Sequence, residues 1–306
     1  MKTYLDAALD GKNDWWRYLI GYPFIIAAYL ILGSIPVLGL VLFVMFDGNP
    51  QTNFTQTGTF MGINPLISFS VVMSSFIPVF IAEALTVKFI HRRPFRSLIT
   101  AAARVDWKRI WQGAGIWLLV AALIALAEAL LYPGRYVFSF DAKNWFAIAI
   151  ASLILIPIQS SAEEFLFRGY LLQHAGLKIK NIFALSLLSG FLFTLPHLGN
   201  PEVVEMGALM TVFYFFMGAF LAVVTIMDNG LELALGMHAS NNIFSSLFAS
   251  YVNDAIQTPA LFTVGEFDMT FNLVTFFLGL AAFYLLAFKV WPKKVDVIAE
   301  PTPIEP

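Results

Sequence analysis

The chain has 306 residues, of which 59% are hydrophobic and only 12% are charged, and its mean hydropathy is +0.76. A soluble domain of this length would not tolerate that composition, which instead indicates a polytopic helical membrane protein. The net charge of −2 indicates no nucleic-acid partner, and the absence of cysteine excludes a thiol nucleophile, disulfides and thiolate metal sites.

The apolar segments, taken in chain order, predict an all-α membrane helix bundle with about eight transmembrane helices. A spanning helix needs about 20 apolar residues. We place the spans at residues 18–46, 66–90, 110–131, 145–172, 181–197, 208–227, 231–251 and 270–291. With the N-terminus inside, the lysines and arginines gather in the inside loops, and only Arg135 and Lys143 remain outside. We therefore predict eight spans with both termini in the cytoplasm.

Three short polar motifs interrupt the later apolar segments. They are Glu163, Glu164 and Arg168 in the fourth segment, Phe193 and His197 in the fifth, and His238 and Asn242 in the seventh. Ionisable groups at membrane depth cost roughly 2.5–3.5 kcal/mol each on insertion scales, so they indicate a functional site. Carboxylate, imidazole and carboxamide groups together are typical of a hydrolase.

Segment lengths predict that the motifs meet in the cytoplasmic half of the membrane. The turn between the fourth and fifth helices lies midway between Glu163 and His197, so these residues should lie at the same height. His238 should lie roughly 10 Å along the seventh helix, at about 1.5 Å per residue. The stretch 145–176 is too long for one crossing, and we expect its end, which carries Arg168, to project into the cytosol.

Helical spacing assigns different roles to the two adjacent glutamates. Glu164 and Arg168 are four residues apart, so they share a helix face and can form an ion pair that orients the site. Glu163 is rotated from Glu164 by about 100° and is the candidate general base. A purely structural role for the Glu164–Arg168 pair is the alternative.

The two later motifs supply the other candidate catalytic groups. His238 and Asn242 also share a helix face, and their N–H groups are candidates for stabilising an oxyanion. His197 is the candidate to help Glu163 hold and deprotonate a water molecule. Taken alone, Asn242 would most often form an interhelical hydrogen bond.

Other polar residues in the apolar segments are weaker candidates. Glu83 and Glu128 lack matching motif partners, and we interpret Glu83 as a supporting or packing residue. His174, near a helix end, is expected to be a solvated surface residue. Ser189 and Gly190 fit close helix packing better than a serine nucleophile.

The three motifs together resemble those of the CPBP family of intramembrane endopeptidases, which includes type II CAAX prenyl proteases and bacterial Abi-type proteins. The family pattern is Glu-Glu-x-x-x-Arg, then Phe-x-x-x-His, then His-x-x-x-Asn, and this chain matches all three within about residues 145–250. The resemblance implies that Glu163 and His197 activate water and that His238 and Asn242 bind the oxyanion. In eukaryotic relatives the substrate is a prenylated CAAX C-terminus.

Metal use is open between two interpretations. Glu163, His197 and His238 are candidate ligands for a divalent metal such as zinc. The chain has no His-Glu-x-x-His helix, however, which is the usual zinc peptidase signature. We favour a mechanism in which glutamate activates water and no cofactor is required.

The resulting expectation is an intramembrane endopeptidase that hydrolyses a peptide bond near the cytoplasmic membrane face, with CAAX-type processing as one form of this activity. Its expected partners are a protein or peptide substrate, lipidated or not, and the lipid bilayer. We expect an integral protein of a bacterial inner or plasma membrane, with the site open to the cytoplasmic side. The alternatives are a non-catalytic immunity or scaffold protein of the same fold, and a transporter with a proton relay.

We divide the chain into three parts of one integral domain. Residues 1–144 hold the first three helices and a basic cytoplasmic loop, in which the stretch 88–109 sets the membrane topology. Residues 145–251 form the catalytic core. Residues 252–306 hold the last helix and a disordered tail at 299–306.

Overall fold

The computed structural model describes residues 3–55, 58–251, 258–265 and 268–293. The tail predicted at 299–306 lies outside these residues. Eight main helices follow the predicted spans: α1 Trp15–Phe46, α2 Pro65–Ile90, α3 Trp107–Leu131, α4 Ala142–Gly176, α5 Ile182–His197, α6 Ala208–Asp228, α7 Glu232–Leu247 and α8 Met269–Val290. The chain is therefore an all-α polytopic bundle.

Helix length separates these eight helices into two groups. In the described part of the chain, six helices are long and apolar enough to cross a membrane, namely α1 to α4, α6 and α8. Helices α5 and α7 have 16 residues each, and their length of ~24 Å is less than a hydrocarbon core of about 30 Å. The count of eight spans therefore stays a prediction.

Small residues allow the helices around α7 and α5 to pack closely. Helix α7 packs against α3 and α4. Gly113 of α3 and Gly236 of α7 lie where these two helices cross. A Cβ on either glycine would overlap the backbone of the other helix. Helix α5 packs against α6 in the same way, because a Cβ on Gly190 would lie 2.6 Å from the carbonyl oxygen of Phe215. Such contacts are typical of membrane helix pairs.

Both described ends of the chain meet at one end of the bundle. The backbone N–H of Tyr4 donates to the side-chain oxygen of Asn229 at 2.5 Å. Asn229 adopts the left-handed conformation with φ 54°, which ends α6 in a tight turn. Beside this turn, Arg109 forms a 2.8 Å ion pair with Asp228 and donates to the carbonyl of Trp291 at 3.0 Å. Which side of the membrane this end faces stays a prediction.

The other end of the bundle carries two small sheets that hydropathy does not predict. Strands β1 (Asn53–Phe54) and β2 (Phe60–Met61) form an antiparallel pair. In a three-stranded sheet, β5 (Phe262–Val264) lies between β3 (Tyr136–Phe138), which is antiparallel to it, and β4 (Ala249–Tyr251), which is parallel. Strands β1 and β2 lie in one loop, between α1 and α2, whereas the three-stranded sheet pairs loops that are distant in sequence, so no local pattern marks it.

Two expectations about the end of α4 are wrong. Arg168 has no exposed surface and does not project into the cytosol. His174 is not a solvated surface residue, because its ring stacks on Tyr18 at 3.5 Å and its Nδ1 lies 3.0 Å from the hydroxyl of Tyr22. The physical reason is tertiary: α1 packs its tyrosines on this part of α4, and the short helix Leu5–Asp10 covers its last turn.

Candidate active site

The three motifs come together where α4, α5 and α7 meet. The ring of Phe193 on α5 lies 4.5 Å from the ring of His197 and 6.1 Å from that of His238 on α7. The guanidinium of Arg168 on α4 lies 4.4 Å from the centre of the same ring. Phe193 is therefore the side chain around which one residue of each motif is arranged.

A buried ion pair anchors the second histidine. Arg168 donates through Nη1 to Oε1 of Glu164 at 2.7 Å and through Nη2 to the carbonyl of Gly218 at 3.0 Å. The Nδ1 of His238 lies 2.8 Å from the same Oε1 of Glu164. A carboxylate only accepts hydrogen bonds, so Nδ1 carries a proton and the orientation of the ring is set. A π-helical turn, Phe165–Leu171, continues α4 directly after Glu164, and such turns are frequent at functional sites.

Glu163 approaches the opposite side of the same imidazole. Its Oε2 lies 3.4 Å from Nε2 of His238. Spacing along the helix predicted that Glu163 faces away from Glu164, yet the ring of His238 reaches both carboxyl groups. The side chain of Glu163 is 13% exposed and that of Glu164 is fully buried. Glu163 is therefore the more accessible carboxylate of this pair.

His197 is held by its own helix and by a tyrosine of α6. Its Nδ1 lies 2.7 Å from the carbonyl oxygen of Phe193, so Nδ1 donates and Nε2 presents a lone pair. Its ring stacks on Tyr214 with the ring centres 4.2 Å apart. The hydroxyl of Tyr214 donates to the carboxylate of Glu202. The described hydrogen bond and stacking contact of His197 thus join it to Phe193 and Tyr214.

A chain of amide groups orients Asn242. The Nδ2 of Asn242 donates to Oε1 of Gln159 at 3.0 Å, and its Oδ1 accepts from Nδ2 of Asn241, also at 3.0 Å. Asn241 is held in turn by the indole N–H of Trp117 at 3.0 Å. An amide nitrogen carries two hydrogens, so the Nδ2 of Asn242 retains one N–H for another acceptor.

The three candidate metal ligands are not gathered into one set. Among the residues that the structure describes, no group of three or more His, Cys, Asp or Glu side chains is placed to hold a metal ion. Glu163 and His238 approach each other, but His197 contacts Phe193 and Tyr214 instead. As arranged, these side chains do not fit a divalent metal.

Sequence reasoning missed three residues of this region. Gln159 lies four residues before Glu163 on the same helix face, and an isolated carboxamide in an apolar segment was a readable signal. Tyr214 and Glu202 lie outside all three motifs, and no local pattern connects them with His197. Tyr214 is revealed by the packing of α6 on α5, and Glu202 by the packing of the short helix Pro201–Met206 on α6.

Comparison with known proteins agrees with the motifs. The chain is 33% identical over 288 residues to the uncharacterized protein YyaK of Bacillus subtilis (strain 168), and the alignment covers 90% of this chain and 94% of that protein. No solved structure matches the chain. Residues 142–244, which contain all three motifs, match the family described as type II CAAX prenyl endopeptidase Rce1-like. The chain belongs to this Rce1-like family.

Proposed function

We propose that this chain is an intramembrane endopeptidase that uses Glu163 to activate water. The observation that carries the proposal is the arrangement around His238, whose two ring nitrogens face a buried, ion-paired carboxylate and a partly accessible one. Membership of the Rce1-like family supports the same activity. A structural ion pair would need only Glu164 and Arg168, and it leaves the second carboxylate unexplained.

The first step of the proposed reaction is the activation of water. Glu163 takes one proton from a water molecule, and the water oxygen forms a bond with the carbonyl carbon of the scissile peptide. The lone pair on Nε2 of His197 accepts a hydrogen bond from the remaining water proton and orients the attack. General base catalysis of this kind contributes about 10²–10⁴-fold to a rate.

The second step is the collapse of the tetrahedral intermediate. In this proposal His238 is the imidazolium between the Glu164 and Glu163 carboxylates, so that both of its ring nitrogens carry a proton. The oxyanion accepts hydrogen bonds from its Nε2–H and from the free N–H of Asn242, and one such donor is worth about 2.7–4 kcal/mol in a dry site. Glu163 then transfers its proton to the amide nitrogen as the carbon–nitrogen bond breaks. The products are a new carboxyl group and a new amine, and Glu163 returns to its ionised form.

We propose a membrane-associated protein or peptide as the substrate, with CAAX-type processing of a lipidated C-terminus as the first form of the reaction to test. The gathering of lysines and arginines in one set of loops supports a site open to the cytoplasmic side. A bacterial inner or plasma membrane is the proposed location.

The test is cleavage by the purified full-length protein of an internally quenched peptide with a farnesylated cysteine before two aliphatic residues and a terminal residue. The unlipidated peptide is assayed in parallel. We expect Glu163→Gln and His238→Ala to lose at least ~100-fold in rate, about 2.7 kcal/mol of barrier. The control is Glu128→Gln, since Glu128 is a buried carboxylate paired with Arg135 away from the site.

Each result has a defined meaning. Unchanged turnover in either site variant would refute the assigned role. A second experiment cross-links the Glu163→Gln variant to membrane proteins in the cells that express it. If the wild type cleaves neither peptide and this variant captures no membrane protein, the non-catalytic scaffold becomes the better description. Exhaustive chelation should leave the rate unchanged, and a loss that added zinc restores would overturn the metal-free mechanism.

A further inference from the structure

One buried carboxyl group outside the three motifs has no partner among the residues that the structure describes. Glu83, on α2, has no exposed surface, and within the described structure neither of its carboxyl oxygens has a hydrogen-bond partner. A carboxyl group in a membrane interior is costly and is almost always paired. Buried polar groups without protein partners are normally satisfied by ordered water.

Glu83 lies beside the proposed general base. The part of α2 that carries it, Ile77–Leu85, packs against α4. One turn before Glu83, the ring of Phe80 lies 5.5 Å from the ring of Phe165, which follows Glu163 by two residues on α4. Glu83 and Glu163 therefore lie on neighbouring turns of two packed helices, and the charge of Glu163 acts on the Glu83 carboxyl group. No hydrogen bond joins the two carboxyl groups in the described structure, so a link between them requires an intervening group.

Further unpartnered polar atoms lie on the same two helices. Thr86, one turn after Glu83, is fully buried, and its hydroxyl has no partner among the described residues. The same is true of Oε2 of Glu164 and Nε of Arg168. Buried polar atoms that lack a partner among the described residues are normally bonded to ordered water, so ordered water is the expected partner of the Glu83 carboxyl group.

The charge state of Glu83 follows from its neighbours. Ion pairs hold other buried carboxylates of this chain, as Arg109 holds Asp228, but no cation pairs with Glu83 in the described structure. An unpaired carboxylate in this position would be expensive, and Glu163 adds a like charge nearby. Glu83 therefore carries its proton, and a carboxylic acid donates one hydrogen bond.

We propose that Glu83 is a positioning residue of the peptidase site, whose neutral carboxylic acid donates a hydrogen bond through ordered water to the carboxylate of Glu163. This contact orients Glu163 toward the attacking water. Glu83 does not touch the substrate. The inference rests on the proposed function, because the positioned group is its general base.

Two substitutions of Glu83 separate positioning from packing. Glu83→Gln keeps a neutral donor of the same shape, so we expect kcat within about threefold of the wild type. Glu83→Leu removes the donor, so we expect kcat to fall about tenfold or more while KM changes by less than about twofold. Its melting temperature should stay within about 2 °C of the wild type, because an apolar side chain of similar size replaces a buried carboxyl group whose hydrogen bond contributes little net stability.

An infrared measurement tests the same inference without any substrate. A protonated carboxylic acid has a carbonyl stretch that is resolved from those of carboxylates and amides. We expect Glu83→Gln to remove one such band from the spectrum of the purified protein. Glu163→Gln should shift that band, whereas Glu128→Gln should leave it in place.

The outcomes distinguish this inference from the proposed function. The inference is overturned if Glu83→Leu keeps full kcat, if Glu83→Gln is as impaired as Glu83→Leu, or if the infrared band is absent or insensitive to Glu163→Gln. Loss of activity with a matching loss of melting temperature in Glu83→Leu would show a packing role and also overturn it. If the wild type has no peptidase activity but the band behaves as expected, the proposed function fails and the hydrogen-bonded link between Glu83 and Glu163 stands.

Discussion

The substitution Arg168→Met tests the buried ion pair that anchors the site. Arg168 is fully buried and holds both the carboxylate of Glu164 and the carbonyl of Gly218. Methionine fills much of the same volume but leaves the Glu164 carboxylate without its cation. Breaking a buried pair from one side costs about 3–5 kcal/mol. The carbonyl of Gly218, inside helix α6, keeps its helical hydrogen bond but loses the second one from Arg168, which is worth about 1 kcal/mol. We expect a total loss of about 4–6 kcal/mol.

The assay is thermal unfolding of the purified protein followed by intrinsic fluorescence of its seven tryptophans. At roughly 2–4 °C per kcal/mol, Arg168→Met should melt on the order of 10 °C below the wild type. The double variant Glu164→Leu/Arg168→Met removes both charges and should recover most of that loss, because an apolar pair replaces a buried ion pair at little net cost. The control is Arg104→Met, an exposed arginine, which should melt within about 2 °C of the wild type.

Activity separates anchoring from stability in the same set of variants. The double variant leaves Nδ1 of His238 without its acceptor, so its peptidase rate should stay low even though its melting temperature recovers. A melting temperature of Arg168→Met that matches the Arg104→Met control would refute the reasoning. A double variant that is no more stable than Arg168→Met would refute it as well, since the loss would then come from packing and not from an unpaired charge.

Three further predictions concern other parts of the structure. Burial lowers the pKa of His91 from 6.5 to about 4. As the pH falls, the imidazole of His91 is therefore protonated in the unfolded chain before it is protonated in the folded chain. The contribution of His91 to the free energy of unfolding should be full above pH 6.5 and fall by up to about 3 kcal/mol on acidification to pH 4. His91→Gln should make the melting temperature depend less on pH between pH 6.5 and pH 4. Gly236→Ala should lower stability by about 1–3 kcal/mol in the same assay because its Cβ overlaps α3, whereas Gly115→Ala, which has open space, should not. Gln159→Leu frees the amide of Asn242 and should lower kcat about tenfold with little change in KM; an unaltered kcat would contradict this role.

Hydropathy and residue spacing were sufficient to place the helices and the motifs. Membrane helices satisfy their backbone hydrogen bonds internally, so their position depends on local apolar length and can be found along the chain. The pairing of Glu164 with Arg168 also follows from spacing, because residues four apart are neighbours on any helix. The assigned catalytic roles stay predictions, as do the count of eight spans and the side of the membrane that each end faces.

Helix rotation and packing decided what spacing could not. Whether His197 or His238 meets Glu163 depends on how α5 and α7 are rotated about their axes, and glycines such as Gly236 set how closely α7 approaches its neighbours. Contacts between distant segments likewise bury Arg168, and they bury Glu83 without a hydrogen-bond partner in the described part of the chain. Sequence therefore determined which residues lie on which helix, whereas the three-dimensional packing determined which of them touch. The physical reason is that helix formation is local, while side-chain contact between helices depends on the tilt and rotation of every neighbour.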